Sequence, residues 1–130
     1  MIDQATSALV GVWRIAAFED RDDEHSAWVS YGSDPRGIII YDRTGTISVH
    51  LIAEGPMPSS SGYIGYWGTF RVVEADRQAD GIVGTVEHHM EGGSMPDLFE
   101  EGVERPFSLQ RDRLTLGDGR TARRLLERIR

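Results

Sequence analysis

At 130 residues, with 39% apolar and 27% charged content, the chain has the size and balance of one soluble globular domain, expected to span 1–130. It contains no cysteine, and its 14 basic residues are all arginine; disulfides, thiolate nucleophiles, zinc–cysteine sites, Schiff bases and a P-loop lysine are thereby excluded. The net charge of −7 argues against a polyanionic partner, because neutralising phosphates needs a cationic face, so no nucleic acid is expected.

The opening MIDQATSALV lacks a basic region followed by a long apolar core, and no apolar run approaches the ~18 residues of a membrane span. No membrane association is expected, and the location is expected to be cytoplasmic. Ser7-Ala8-Leu9 closes a short helical turn before a first strand, LVGVWRIAAFED. The loop RDDEHS leads to AWVSYG. RGIIIYD and GTISVHLIA follow, joined by the turn Asp42-Arg43-Thr44-Gly45. EGPMPSSSG has turn composition and reads as a loop. GYIGYWGTFRVVEA and GIVGTVEHHME come next, connected through ADRQAD, and then VERPFSLQ, DRLTLG and RTARRLLERI. Asp118-Gly119 suits a type I′ hairpin turn. Short β-type runs with turn residues roughly every 8–12 positions predict an all-β fold. The expected architecture is a small antiparallel barrel of about eight to ten strands, preceded by a short helical turn.

Side chains alternate across a strand, so each run divides into two faces. Ile47, Val49 and Leu51 share one face, with Ser48 and His50 on the other. Ile64, Tyr66, Phe70 and Val72 lie together around Gly68, opposite Tyr63, Trp67, Thr69 and Arg71. In TVEHHME the apolar face is Val86, His88 and Met90, and the wet face includes Glu87, His89 and Glu91. Val103, Arg105, Phe107 and Leu109 form the next inner row. Three polar side chains therefore occupy apolar-face positions: Tyr66, His88 and Arg105.

An inward His88 suits acid–base chemistry or a polar ligand atom, and equally a core imidazole bonded to a tyrosine or carboxylate of a neighbouring strand. A buried Arg105 requires a carboxylate, carbonyls, water or an anionic ligand, since an unpaired guanidinium is costly. A structural ion pair with a glutamate, such as one from the acidic stretch Asp97, Glu100, Glu101 and Glu104, competes with ligand anchoring. Tyr66 has the choice of a ligand oxygen or His88. Adjacent strand residues face opposite ways, so His88 and His89 cannot share one internal ion, and no metal site is expected. Met57, Met90 and Met95 supply adaptable apolar surface. The serines of SSSG lack a G-x-S-x-G context for a nucleophile. On the outer face, Tyr63 and Trp67 suit a covered groove or self-association into a homodimer.

Gly11-Val12-Trp13 near the first strand's start, with Arg128 on the last strand, resembles the Gly-x-Trp…Arg arrangement of lipocalins, in which the indole plugs the closed end of a barrel and the arginine packs across it. More specifically, LVGVWRIAAFE, RGIIIYDRTGTISVHL, YIGYWGTFRV, TVEHHMEGGSMPD and RPFSLQRDRLTL are similar to the bacterial and fungal lipocalin-like domain family. Relatives of that pattern often carry a longer, partly helical segment where this chain has AEGPMPSSSG. The resemblance implies a barrel with an internal cavity for a small, largely apolar molecule and does not fix one activity. Ile47, Val49, Leu51, Ile64, Phe70, Val86, Met90 and Phe107 are the expected ligand-facing residues. No cofactor is expected. The alternative is a cofactor-independent isomerase, cyclase or dehydratase, with His88 moving protons while Tyr66 and Arg105 stabilise an oxyanion.

Overall fold

The computed structural model describes residues 1–55, 62–94 and 102–129. Helix α1 (Ile2–Leu9) opens the chain, longer than the single turn expected at Ser7–Leu9. Its buried residues, Ala5 and Leu9, stand four apart on one face, the spacing that lets a two-turn helix pack an apolar stripe. The strands are β1 (Gly11–Asp20), β2 (Val29–Ser30), β3 (Ser33–Tyr41), β4 (Thr46–Glu54), β5 (Tyr63–Gln78), β6 (Gly81–Gly93), β7 (Gly102–Gln110), β8 (Arg113–Leu116) and β9 (Ala122–Ile129). Eight of them, β1 and β3 to β9, pair antiparallel in sequence order and close through β1–β9 into a barrel; β2 adds two residues beside the end of β1. The predicted all-β barrel with a short N-terminal helix is thus the observed architecture.

Strand alternation holds along most of the barrel. Ile47, Val49, Leu51 and Ala53 are buried on β4, and Val86, His88 and Met90 on β6, with exposed or half-buried residues between them. It fails where a bulge inserts a residue. On β1, Ile15 opposes Leu126 but Ala17 opposes Leu125, so Ala16 is extra and Phe18, opposite Arg124, joins the inner face. On β5 and β6, Trp67 opposes Gly92 while Gly68 opposes Met90, leaving Glu91 unpaired. Gly68 permits this, because a Cβ there would run into the backbone carbonyl of His89.

The turns follow their side chains. Asp42 Oδ2 accepts from the Thr44 N–H and hydroxyl, and Gly45 (φ 87°) donates to the Asp42 carbonyl. The β8–β9 connection departs from the expected type I′ turn. Gly119 has φ 74°, but Asp118 is not left-handed; instead its Oδ1 accepts the N–H groups of Arg120, Thr121 and Ala122. Those donors hold its carboxyl well below the usual range. The longer loop satisfies its backbone through one carboxylate where a tight turn would have used two left-handed residues. Residues 56–61 of the loop EGPMPSSSG, Met57 among them, and residues 95–101, with Met95, Asp97, Glu100 and Glu101, lie outside the described residues.

One end of the barrel is closed. Trp13 is fully buried and its indole N–H donates to the Leu9 carbonyl at 2.9 Å. The Arg128 guanidinium lies 4.2 Å above the Trp13 ring and donates to the carbonyls of Ala8 (2.7 Å) and Val10 (3.0 Å). Trp13 and Arg128 together cap carbonyls at the end of α1 that have no partner within the helix. Gly11 (φ 150°) completes the arrangement, since a side chain there would collide with the guanidinium.

Candidate functional site

Toward the opposite end the interior opens into a cavity of about 220 Å³. Its apolar wall consists of Phe18, Tyr31, Ile39, Val49, Leu51, Ile64, Met90 and Leu116; its polar groups are Tyr66, His88, Arg105, Arg124 and Asp20. The three polar residues singled out from strand alternation are therefore brought together. Of the eight expected apolar residues, Val49, Leu51, Ile64 and Met90 face the cavity. Ile47, Phe70, Val86 and Phe107 are also buried, but in the core and not at the cavity wall.

His88, 1% exposed, sits between two phenols. Its Nε2 is 2.7 Å from the Tyr41 hydroxyl and its Nδ1 is 3.1 Å from the Tyr66 hydroxyl. Tyr41 ends β3, with β4 and β5 between it and β6, so its bond to His88 crosses the barrel interior. Phe70 packs edge-on against the Tyr41 ring at 4.8 Å and helps fix that crossing. Burial, reinforced by the nearby Arg105 charge, pushes the His88 imidazole down to about 3. Burial pushes both phenols up, Tyr41 with help from Tyr66, and Tyr66 against the opposing pull of Arg105 and Arg124. All three groups are neutral near pH 7.

The two arginines differ. Arg124 is paired: its Nη1 donates to the Glu19 carbonyl (2.7 Å) and Asp20 Oδ1 (3.0 Å), and its guanidinium stacks on Phe18 at 3.7 Å. Burial lowers its pKa and Asp20 opposes that shift. Arg105 lies close enough to Tyr66 to act on its hydroxyl, yet among the described residues it has no ion pair. The expected pairing with a glutamate is not seen there; the neighbouring Glu104 lies on the outer face, opposite Glu87.

His89 is exposed, and Glu87 beside it pairs with Arg71 at 3.1 Å. Tyr63 and Trp67 also lie outside, where Tyr63 bonds His50 at 2.8 Å and Trp67 covers Gly92. Among the described residues no group of three acidic or histidine side chains is placed to hold a metal, and no helix is long and apolar enough to cross a membrane.

Tyr41, Asp20 and Arg124 were missed from the sequence. Tyr41 and Arg124 were legible by alternation: Tyr41 shares a face with Ile39, and Arg124 stands four residues before Arg128 on β9. Asp20 was not, because the bulge at Ala16 reverses the parity of β1.

Comparison with known proteins finds no matching family model, no matching curated protein and no matching solved structure. The fold itself defines the class: a closed eight-stranded antiparallel barrel with one helix, consistent with a lipocalin-like fold.

Proposed function

We propose that the protein binds a small, largely apolar molecule inside its barrel. The observation that carries this reading is the cavity of about 220 Å³, with an apolar wall and a few converging polar groups, the usual composition of a small-molecule site. It is smaller than the roughly 300–1,000 Å³ of sites for drug-sized ligands, so the occupant is compact. The cavity favours binding over acid–base catalysis. A general base works best with a pKa near the operating pH, whereas His88 is held at about 3 with both ring nitrogens occupied by phenols.

Native mass spectrometry of the purified protein tests whether a small molecule travels with it. A titration with octan-1-ol, followed through the methyl signals of Ile39, Ile64 and Met90, tests the cavity directly. Saturable shifts at those methyls are expected; shifts confined to the outer Ile52, or none, overturn the reading. Tryptophan fluorescence is a poor probe, because none of the three indoles lines the cavity. An isomerase, cyclase or dehydratase requires turnover that His88→Ala abolishes.

A further inference from the structure

The polar end of the cavity has a direction set by the hydrogen-bond inventory of three buried side chains. A neutral imidazole has one N–H and one lone pair, so of its two phenol partners one must donate and the other accept. Tyr41 is buried at 1% exposure, and among the described residues its hydroxyl touches no polar group but His88 Nε2. If Tyr41 accepted, its own proton would be stranded in the core, at the cost of an unsatisfied buried donor. Tyr41 therefore donates to Nε2, and His88 carries its proton on Nδ1. That N–H donates to the Tyr66 oxygen at 3.1 Å, which leaves the Tyr66 hydroxyl proton without a protein acceptor on this path. Tyr66 lines the cavity, and so does Arg105, whose five N–H donors meet no carboxylate among the described residues.

Resting on the cavity-binding reading, we infer that the ligand is a monocarboxylate with a short apolar body, its carboxylate held between the Arg105 guanidinium and the outward-turned Tyr66 hydroxyl. Arg124 adds a second positive charge to the cavity, already neutralised by Asp20, so one net charge is left for one anion. The two side chains with donors to spare, Arg105 and Tyr66, suit an anionic head group, and the one carboxylate at the cavity among the described residues, Asp20, is already engaged by Arg124. Arg105 is the charge-bearing contact. Tyr66 is the contact whose orientation depends on the Tyr41–His88 relay.

The probes are octanoate and octan-1-ol, which share chain length and differ in the head group. Octanoate is expected to bind about tenfold or more tightly, the scale of a charge-assisted contact. Arg105→Met and Tyr66→Phe each reduce that preference while octan-1-ol affinity changes little; Tyr66→Phe keeps the ring and serves if the arginine variant folds poorly. Equal affinity for the two probes overturns the carboxylate inference and leaves the cavity reading standing. No shift of the cavity methyls by either probe overturns the cavity reading itself. Nitrogen-detected histidine spectra provide an arm without ligand. An Nδ1–H tautomer at His88 is expected, and an Nε2–H tautomer overturns the assignment of Tyr66 as the free donor.

Discussion

Each end of the barrel holds an arginine beside an aromatic ring, and the two are used in opposite ways. At the closed end the Arg128 donors are taken by the Ala8 and Val10 carbonyls and by Asp112 at 3.2 Å, with the Trp13 ring beneath. At the cavity end Arg105 stands beside Tyr66 with no carboxylate among the described residues. A guanidinium whose donors are consumed by backbone holds the fold together. One that faces an apolar cavity and bonds, among the described residues, only a phenol keeps donors to spare for an anion. The same residue type thus marks structure at one end and a binding site at the other.

The closed end should be the sensitive one. Trp13→Ala removes a fully buried indole and uncaps Leu9, and a loss of about 3–5 kcal/mol is expected in chemical denaturation. A loss below about 1 kcal/mol breaks the comparison, since the indole would then not be what seals the barrel.

The next effect belongs to the cavity end and depends on pH. His88 binds its proton at about 3 when folded and near 6.5 when unfolded. Between those values the unfolded chain takes up a proton that the folded chain refuses, so stability is flat above about pH 7 and falls as the pH drops toward 3. The loss is on the order of a few kcal/mol at the acid end. His88→Gln keeps a donor and an acceptor but cannot titrate, so its stability should lose this slope. The comparison is best read between about pH 5 and 7, above the range where carboxylates such as Asp118 contribute. Parallel curves for the two proteins would show that His88 is not held neutral.

Arg128→Met should cost about 1–3 kcal/mol, because it leaves the Ala8 and Val10 carbonyls short of donors while keeping an apolar side chain over Trp13. A thermal shift near zero would mean that water replaces the guanidinium at no cost, and the contrast with Arg105 would vanish.

Much of this was legible in the sequence because a strand's period of two is a strict rule. It places His88, Tyr66 and Arg105 on the inner face, and His89, Tyr63 and Trp67 on the outer one. It failed where the period is interrupted. The extra residue Ala16 turns Phe18 and Asp20 inward, and nothing in AAFED announces a bulge. Alternation also says which face a residue occupies, not which residue it meets across the barrel. The Tyr41–His88 bond joins β3 to β6, and Ile47, Phe70, Val86 and Phe107 share the inner face yet lie away from the cavity. Those are consequences of barrel closure and depth, which strand patterns do not encode.

The smallest effect sharpens the comparison most. Arg105→Met should change the stability of the unliganded protein by less than about 0.5 kcal/mol, and in the stabilising direction. The guanidinium loses hydration inside the barrel and recovers no ion pair among the described residues, while methionine fits beside the apolar wall that Ile64, Met90 and Leu116 already form. Its removal also relieves a positive charge that works against protonation of His88, so the histidine's titration should move upward and the acid slope should shrink. Arg105→Met therefore predicts two readouts together: a flat or improved midpoint in urea at pH 7.5, and a shallower decline toward pH 5. A clear loss of stability at pH 7.5 would show that Arg105 is structurally paired after all, and the two ends of the barrel would then use their arginines alike.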